Sequence, residues 1–177
     1  MRAISLTAIA AWGLAAALAA SDETGQMRQV TTGFYGVYRT VHPSDGIPSS
    51  ADRARYAPFL SSELEQLLRK AQAAEARFAK ENKDSPPLLE GDIFTSMFEG
   101  ASAVQVGICS GDAARGRCAV NLEYVDKDAK RVAWSDAVLL VNTPAGWRVD
   151  DIAYGGSWAF GNKGTLSELL KQTIELQ

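Results

Sequence analysis

The sequence holds 177 residues with 18 basic and 21 acidic side chains, a net charge of −3, and 46% apolar residues. That size and balance describe one globular domain. The acidic balance, with no basic patch interleaved with aromatics and no strongly basic helical face, argues against a nucleic-acid interface and against binding to an anionic membrane surface.

In chain order, Met1-Arg2 is a short basic start, Ile4 to Leu18 is apolar, and Ala17-Leu18-Ala19 gives a small-x-small pattern before the polar Ser21-Asp22-Glu23. These features predict a secretory signal peptide over residues 1–20. The run is shorter than the ~20 apolar residues that cross a bilayer, so no membrane span is expected in the mature chain. No cysteine lies at the cleavage point to accept a lipid anchor. Cleavage removes Arg2, leaving 17 basic against 21 acidic residues and a charge of −4. The expected location is the periplasm, with release from the cell as the alternative.

Residues 21–26 read as a disordered lead and 27–177 as a single domain. Val30, Phe34, Val37, Tyr38 and Val41 recur at helical spacing, predicting a helix from Met27 to Val41 closed by Pro43. Gly33 and Gly36 each weaken it by about 1 kcal/mol relative to alanine, which close packing against another element would explain. HPSDGIPSS is a loop, and Asp52 to Ala57 a short helix stopped near Pro58. Ser62 and Glu65 read as a capping box. Leu64, Leu67, Leu68, Ala71, Ala74 and Phe78 then form an apolar stripe, expected to be a core contact rather than a partner-binding face.

After Pro87 the period changes to two. Val104, Val106 and Ile108, then Val120, Leu122 and Tyr124, predict two strands joined as a hairpin. Between them lie the chain's two cysteines, Cys109 and Cys118. In an exported chain this even count reads as a structural disulfide, whereas a redox pair favours C-x-x-C spacing. The chain-entropy model gives such a short closed loop roughly 2.5–3 kcal/mol. Arg131 to Val141 is a third strand, and TPAG turns it into a fourth, GWRVDDIAYGG. Thr165 and Glu168 form a second capping box, followed by Leu166, Leu169, Leu170 and Ile174 on a short terminal helix. The expected class is α+β, with N-terminal helices packed on one face of a curved four-strand antiparallel sheet.

In GWRVDDIAYGG, strict alternation would bury Asp151 and turn Ile152 outward. A β-bulge at Asp150-Asp151 would reset the pattern, so that Trp147, Val149 and Ile152 all face the core. The bulge is the expected reading, with a catalytic carboxylate as the alternative.

FYGVY, GIP followed by YAPFLSSELEQLL, GDIFTSMFEG, WSDAVLLV and GWRVDDIAYGG, in that order, span most of the mature chain. Together they resemble the exported bacterial proteins grouped as domain of unknown function family 3828. The resemblance implies the cone-shaped fold of nuclear transport factor two and its cystatin-like relatives, with helices wrapped over a bent sheet. This chain lacks the lipid-accepting cysteine of the family's lipoproteins. The resemblance implies no activity.

Little in the sequence is equipped for catalysis. His42, the one histidine, sits in a proline-rich loop and reads as an ordinary loop residue, so no metal site of the usual histidine/thiolate type and no cofactor are expected. There is no G-x-S-x-G turn, phosphate loop or dinucleotide fingerprint, and Gly155-Gly156 reads as a bend. Asp92 and Glu99 flank IFTSMF. Pairing through TPAG is expected to bring Asp136 near Ile152 and Trp134 near Tyr154. Asp92, Glu99, Trp134, Asp136 and Tyr154 are therefore the binding candidates. Relatives of the implied fold carry an aspartate and a tyrosine in a cavity between sheet and helices. On that analogy an isomerase- or dehydratase-like reading takes Asp136 or Asp151 as base and Tyr154 or Tyr38 as charge stabiliser. The preferred expectation is a non-enzymatic periplasmic module that binds a small ligand or an envelope protein. A toxin-immunity protein is a narrower version, and an apolar patch on the sheet would instead favour a structural role.

Overall fold

Four antiparallel strands in sequential order, β1 (Ala103–Gly111), β2 (Arg115–Val125), β3 (Arg131–Thr143) and β4 (Gly146–Ala153), form the sheet in a computed structural model. The structure describes residues 9–41 and 46–176, with side chains from residue 22 onward. The helices are α1 (Ile9–Val41), α2 (Ser50–Tyr56), α3 (Ser62–Glu81) and α4 (Leu166–Glu175), with one 3-10 turn at Ala57–Phe59. The α+β class and the helix and strand order are those expected. His42 and the start of the expected leader lie outside the described residues. Among the described residues no helix is long and apolar enough to cross a membrane.

The segment 21–26, expected as a disordered lead, is helical and continuous with α1. Its physical basis is propagation. Met27 is buried in the core and anchors the helix, and further turns upstream then escape the nucleation cost. The Gln26 amide also donates to Asp22 one turn back, at 2.9 Å.

One face of the sheet buries Cys118, Val120, Leu122, Val138, Leu140, Trp147, Val149 and Ile152. Against it pack Phe34, Tyr35 and Tyr38 of α1 and Tyr56 of α2, in edge-on and tilted ring contacts that include Phe94. Gly33 is accounted for by this packing, because a Cβ there would lie 2.2 Å from the Phe59 ring; Gly36 has open space around it. The other face carries polar pairs, with Arg131 paired to Glu123 at 2.9 Å and the Ser135 hydroxyl donating to Asn121 at 2.9 Å.

Two bulges interrupt the ladder. In β4, Leu139 pairs with Asp151 while Leu140 pairs with Val149, so Asp150 is the extra residue, and Trp147, Val149 and Ile152 are all buried. This is the arrangement the broken alternation predicts. In β1, Val106 pairs with Val120 but Cys109 pairs with Cys118, which places an extra residue at Gly107-Ile108. Ile108, expected inward, is 81% exposed as a result. The disulfide is the physical reason: Cys109 and Cys118 are joined with Cα atoms 4.0 Å apart, which requires Cys109 on the same face as Cys118.

The second edge of the sheet is covered by the helices. Ser61 N–H donates to Val149 O at 2.8 Å, so the start of α3 is pinned to β4. The cap of α3 is Ser61, accepting from Leu64 N–H at 3.1 Å, one residue before the expected Ser62. The expected Thr165–Glu168 capping box on α4 is present. The α3 stripe buries Leu64, Leu68, Ala71 and Ala74, and α3 packs against α4.

Candidate functional site

The segment from Gly91 to Ala101 forms no helix or strand, yet Asp92 through Met97 are all buried. Buried backbone outside a ladder needs other hydrogen-bond partners, and here aspartates, tyrosines and an asparagine supply them. Asp92 accepts from Phe94 N–H at 2.6 Å, from the Tyr38 hydroxyl, and from the Thr95 hydroxyl at 3.4 Å. The Tyr38 oxygen accepts in turn from Ala101 N–H at 2.8 Å. Tyr35 donates to Phe94 O at 3.1 Å and Tyr154 to Ile93 O at 2.6 Å.

Asp136, buried on β3, ties this segment to the one after β4. Its Oδ2 accepts from Ser96 N–H at 2.8 Å and from Trp134 Nε1 at 3.1 Å. Its Oδ1 accepts from Gly155 N–H at 2.8 Å and from the Ser96 hydroxyl. The Ser96 oxygen also accepts from Gly156 N–H at 2.9 Å. Gly155-Gly156 thus directs its amides onto an internal carboxylate and hydroxyl. A Cβ on Gly155 would stand 2.1 Å from Ser135 O, so glycine is needed for the approach. Asn162 completes the clasp: its Nδ2 reaches Asp92 O and Thr95 O, both at 2.7 Å, and its N–H reaches Ser96 O at 2.9 Å.

Burial pushes the Asp92 carboxyl up to about 7, against the opposing hydrogen bonds of Tyr38, Phe94 and Thr95. Burial first, and then the Asp92 charge, raise the Tyr38 phenol well above its ordinary value. The same two causes, followed by Asp151, raise that of Tyr154. These phenols are donors in the native state.

The four catalytic candidates do not form one constellation. Asp136 receives four donors, which occupies the roughly four acceptor positions of a carboxylate. Asp151 accepts from Ile152 N–H and Ser167 N–H, both at 2.8 Å, and so caps the first turn of α4. Tyr154 and Tyr38 donate to Ile93 O and Asp92. The expected register also shifts. Ile152 pairs with Val138 rather than lying near Asp136, because the turn pairs Thr143 with Gly146 and the bulge adds one further residue. Trp134 packs edge-on against Trp158, ring centroids 5.1 Å apart, rather than pairing with Tyr154.

Outside the clasp, the two segments border an open groove of about 560 Å³ lined by Glu90, Met97, Phe98, Glu99, Trp158, Ala159, Phe160 and Gly161. Phe98 is 43% and Phe160 91% exposed. Of the binding candidates, Glu99 lines this groove and Trp134 supports its Trp158. Asp92, Asp136 and Tyr154 hold the backbone beneath. Sequence reasoning missed Ser96, Asn162, Phe98, Trp158 and Phe160. A usable signal was SWAFGN, where two aromatics sit in a glycine-flanked loop with no strand or helix period to bury them. A second, polar groove between α3, α4 and β4 contains Lys70, Arg115, Lys171, Asp150 and Asp151, and Arg115 pairs with Asp150 at 2.8 Å. Among the described residues no cluster of three or more histidine, cysteine or acidic side chains is placed to hold a metal ion.

No family model matches the chain, and no curated protein does so. Among solved structures, the chain is similar to a protein of unknown function from Bacteroides thetaiotaomicron VPI-5482. The identity is 16%, the match covers 81% of this chain and 97% of that one, and the TM-score is 0.38. A likeness at that level assigns neither fold nor activity.

Proposed function

We propose that this chain is an exported periplasmic module, cone-shaped in the sense the resemblance implies, that binds a small amphipathic ligand without catalysing a reaction on it. The ligand lies in the groove between residues 90–99 and 157–161. One observation carries this reading: Asp136 spends its acceptor capacity holding two loops together and Asp92 spends its own on the first loop and α1, while those loops present Phe98 and Phe160 to solvent. Large aromatics cost free energy when left in water, and a groove of this volume suits a small molecule. An envelope protein inserting one apolar side chain is the second reading, favoured by the groove's openness at Phe160.

The neutral dye N-phenyl-1-naphthylamine tests the proposal. Saturable fluorescence enhancement is expected with the wild type, with affinity falling about fivefold or more in Phe160→Ala, a loss of roughly 1 kcal/mol. Equal affinity in the two proteins would overturn the groove as the site. Fractionation of the source cells is expected to recover a processed chain in the periplasm; an unprocessed chain in the cytoplasm would contradict export.

A further inference from the structure

We infer that the groove selects a hydrophobic cation, an ammonium group attached to an aromatic or alkyl body; this rests on the groove reading above. The lining combines three aromatics, Phe98, Trp158 and Phe160, with two carboxylates, Glu90 and Glu99, and contains no basic side chain. Among the described residues neither glutamate forms an ion pair, and both are exposed. An anionic ligand would meet like charge there, and a neutral one would leave the carboxylates without a role. A cation over an aromatic face gains about 0.5–1 kcal/mol at exposed sites and about 2 when desolvated, and the glutamates add attraction of the same sign.

Trp158 and the backbone carrying Phe98 and Phe160 are held in place before any ligand arrives. Trp158 is braced edge-on by Trp134, whose indole is fixed by Asp136. Gly91, at φ +71°, brings its backbone so close to Phe98 that a Cβ would lie 2.6 Å from Phe98 O. Gly161 N–H donates to Trp158 O at 3.3 Å, closing the loop that carries Phe160. Such pre-organisation reduces the ordering cost of binding.

Benzyltrimethylammonium, benzyl alcohol and phenylacetate share a benzyl body and differ in charge. Calorimetric titration, with the Trp158 indole N–H resonance to locate binding, is expected to rank the cation about tenfold tighter than the alcohol, and phenylacetate weakest. The double variant Glu90→Gln/Glu99→Gln is expected to narrow the cation's advantage over the alcohol to about threefold, with an unchanged circular dichroism spectrum showing that the variant is folded. Equal affinity of cation and alcohol in the wild type overturns the charge selection and leaves the groove reading standing. Failure of all three probes to shift the Trp158 resonance, together with no dye binding, overturns both. A dimer of the unliganded chain that Phe160→Ala dissolves would also overturn both, since a second copy would then occupy the groove.

Discussion

In the sheet, buried backbone pairs with backbone: β2 and β3 match residue for residue from Arg115↔Val141 to Val125↔Arg131. In the clasp of residues 91–101 with 154–162, buried backbone pairs largely with side chains, and Asp92, Asp136, Ser96 and Asn162 provide most of the partners. The two regions face the same problem, an amide away from water, and differ in where the answer is encoded. A ladder bond can be formed by almost any residue, so the sheet tolerates substitution wherever the buried face stays apolar. The clasp concentrates several bonds on single side chains, so removing one carboxylate should undo a whole region.

That contrast orders the predictions. Asp136→Ala should be the most damaging, at about 5 kcal/mol, because it strands Ser96 N–H, the Ser96 hydroxyl and the Trp134 indole at roughly 1–3 kcal/mol each, while Gly155 N–H keeps only its bond to the Ser96 oxygen. Chemical denaturation measures it, and a loss near 1 kcal/mol would mean the clasp is not held by this carboxylate. Trp147→Ala tests the sheet side and should cost about 3–5 kcal/mol from packing alone, since its buried indole N–H has no hydrogen-bond partner among the described residues. A near-neutral result would contradict the burial of this face.

Cys109→Ser should cost roughly 2.5–3 kcal/mol under oxidising conditions and little once the wild type is reduced; melting curves with and without reductant separate the two. Identical curves without reductant would show that the bridge does not form. Asp92→Asn probes the clasp through pH. The folded carboxyl titrates near 7, above its ordinary 3.8, so the fold favours the protonated form. Its contribution is fully present below about pH 4 and is lost as pH rises through about 7. Wild type should lose roughly 2–3 kcal/mol relative to Asp92→Asn between about pH 5 and pH 8. Parallel stability profiles would contradict the raised value.

The sheet was legible in the sequence because apolar residues alternate along it. The Asp150-Asp151 bulge was legible for the same reason, since a second aspartate breaks the alternation. The Ile108 bulge was not, because Val104, Val106 and Ile108 alternate without a fault. It shows only when Cys109 must oppose Cys118. The clasp left no periodic trace. Its bonds join residues 40 apart for Ser96 and Asp136 and 70 apart for Asn162 and Asp92, and each depends on a side chain meeting a particular amide or carbonyl. Asp92 and Asp136 stood out as acidic residues beside aromatics. Their roles as backbone acceptors required the fold.

Amide hydrogen exchange in Asp136→Asn, compared with wild type, tests most directly whether this carboxylate holds the two loops under the groove. Exchange should accelerate at residues 92–97 and 155–162 while β1 and β2 keep their protection. Unchanged exchange in both loops, or an equal rise across the sheet, would contradict the account.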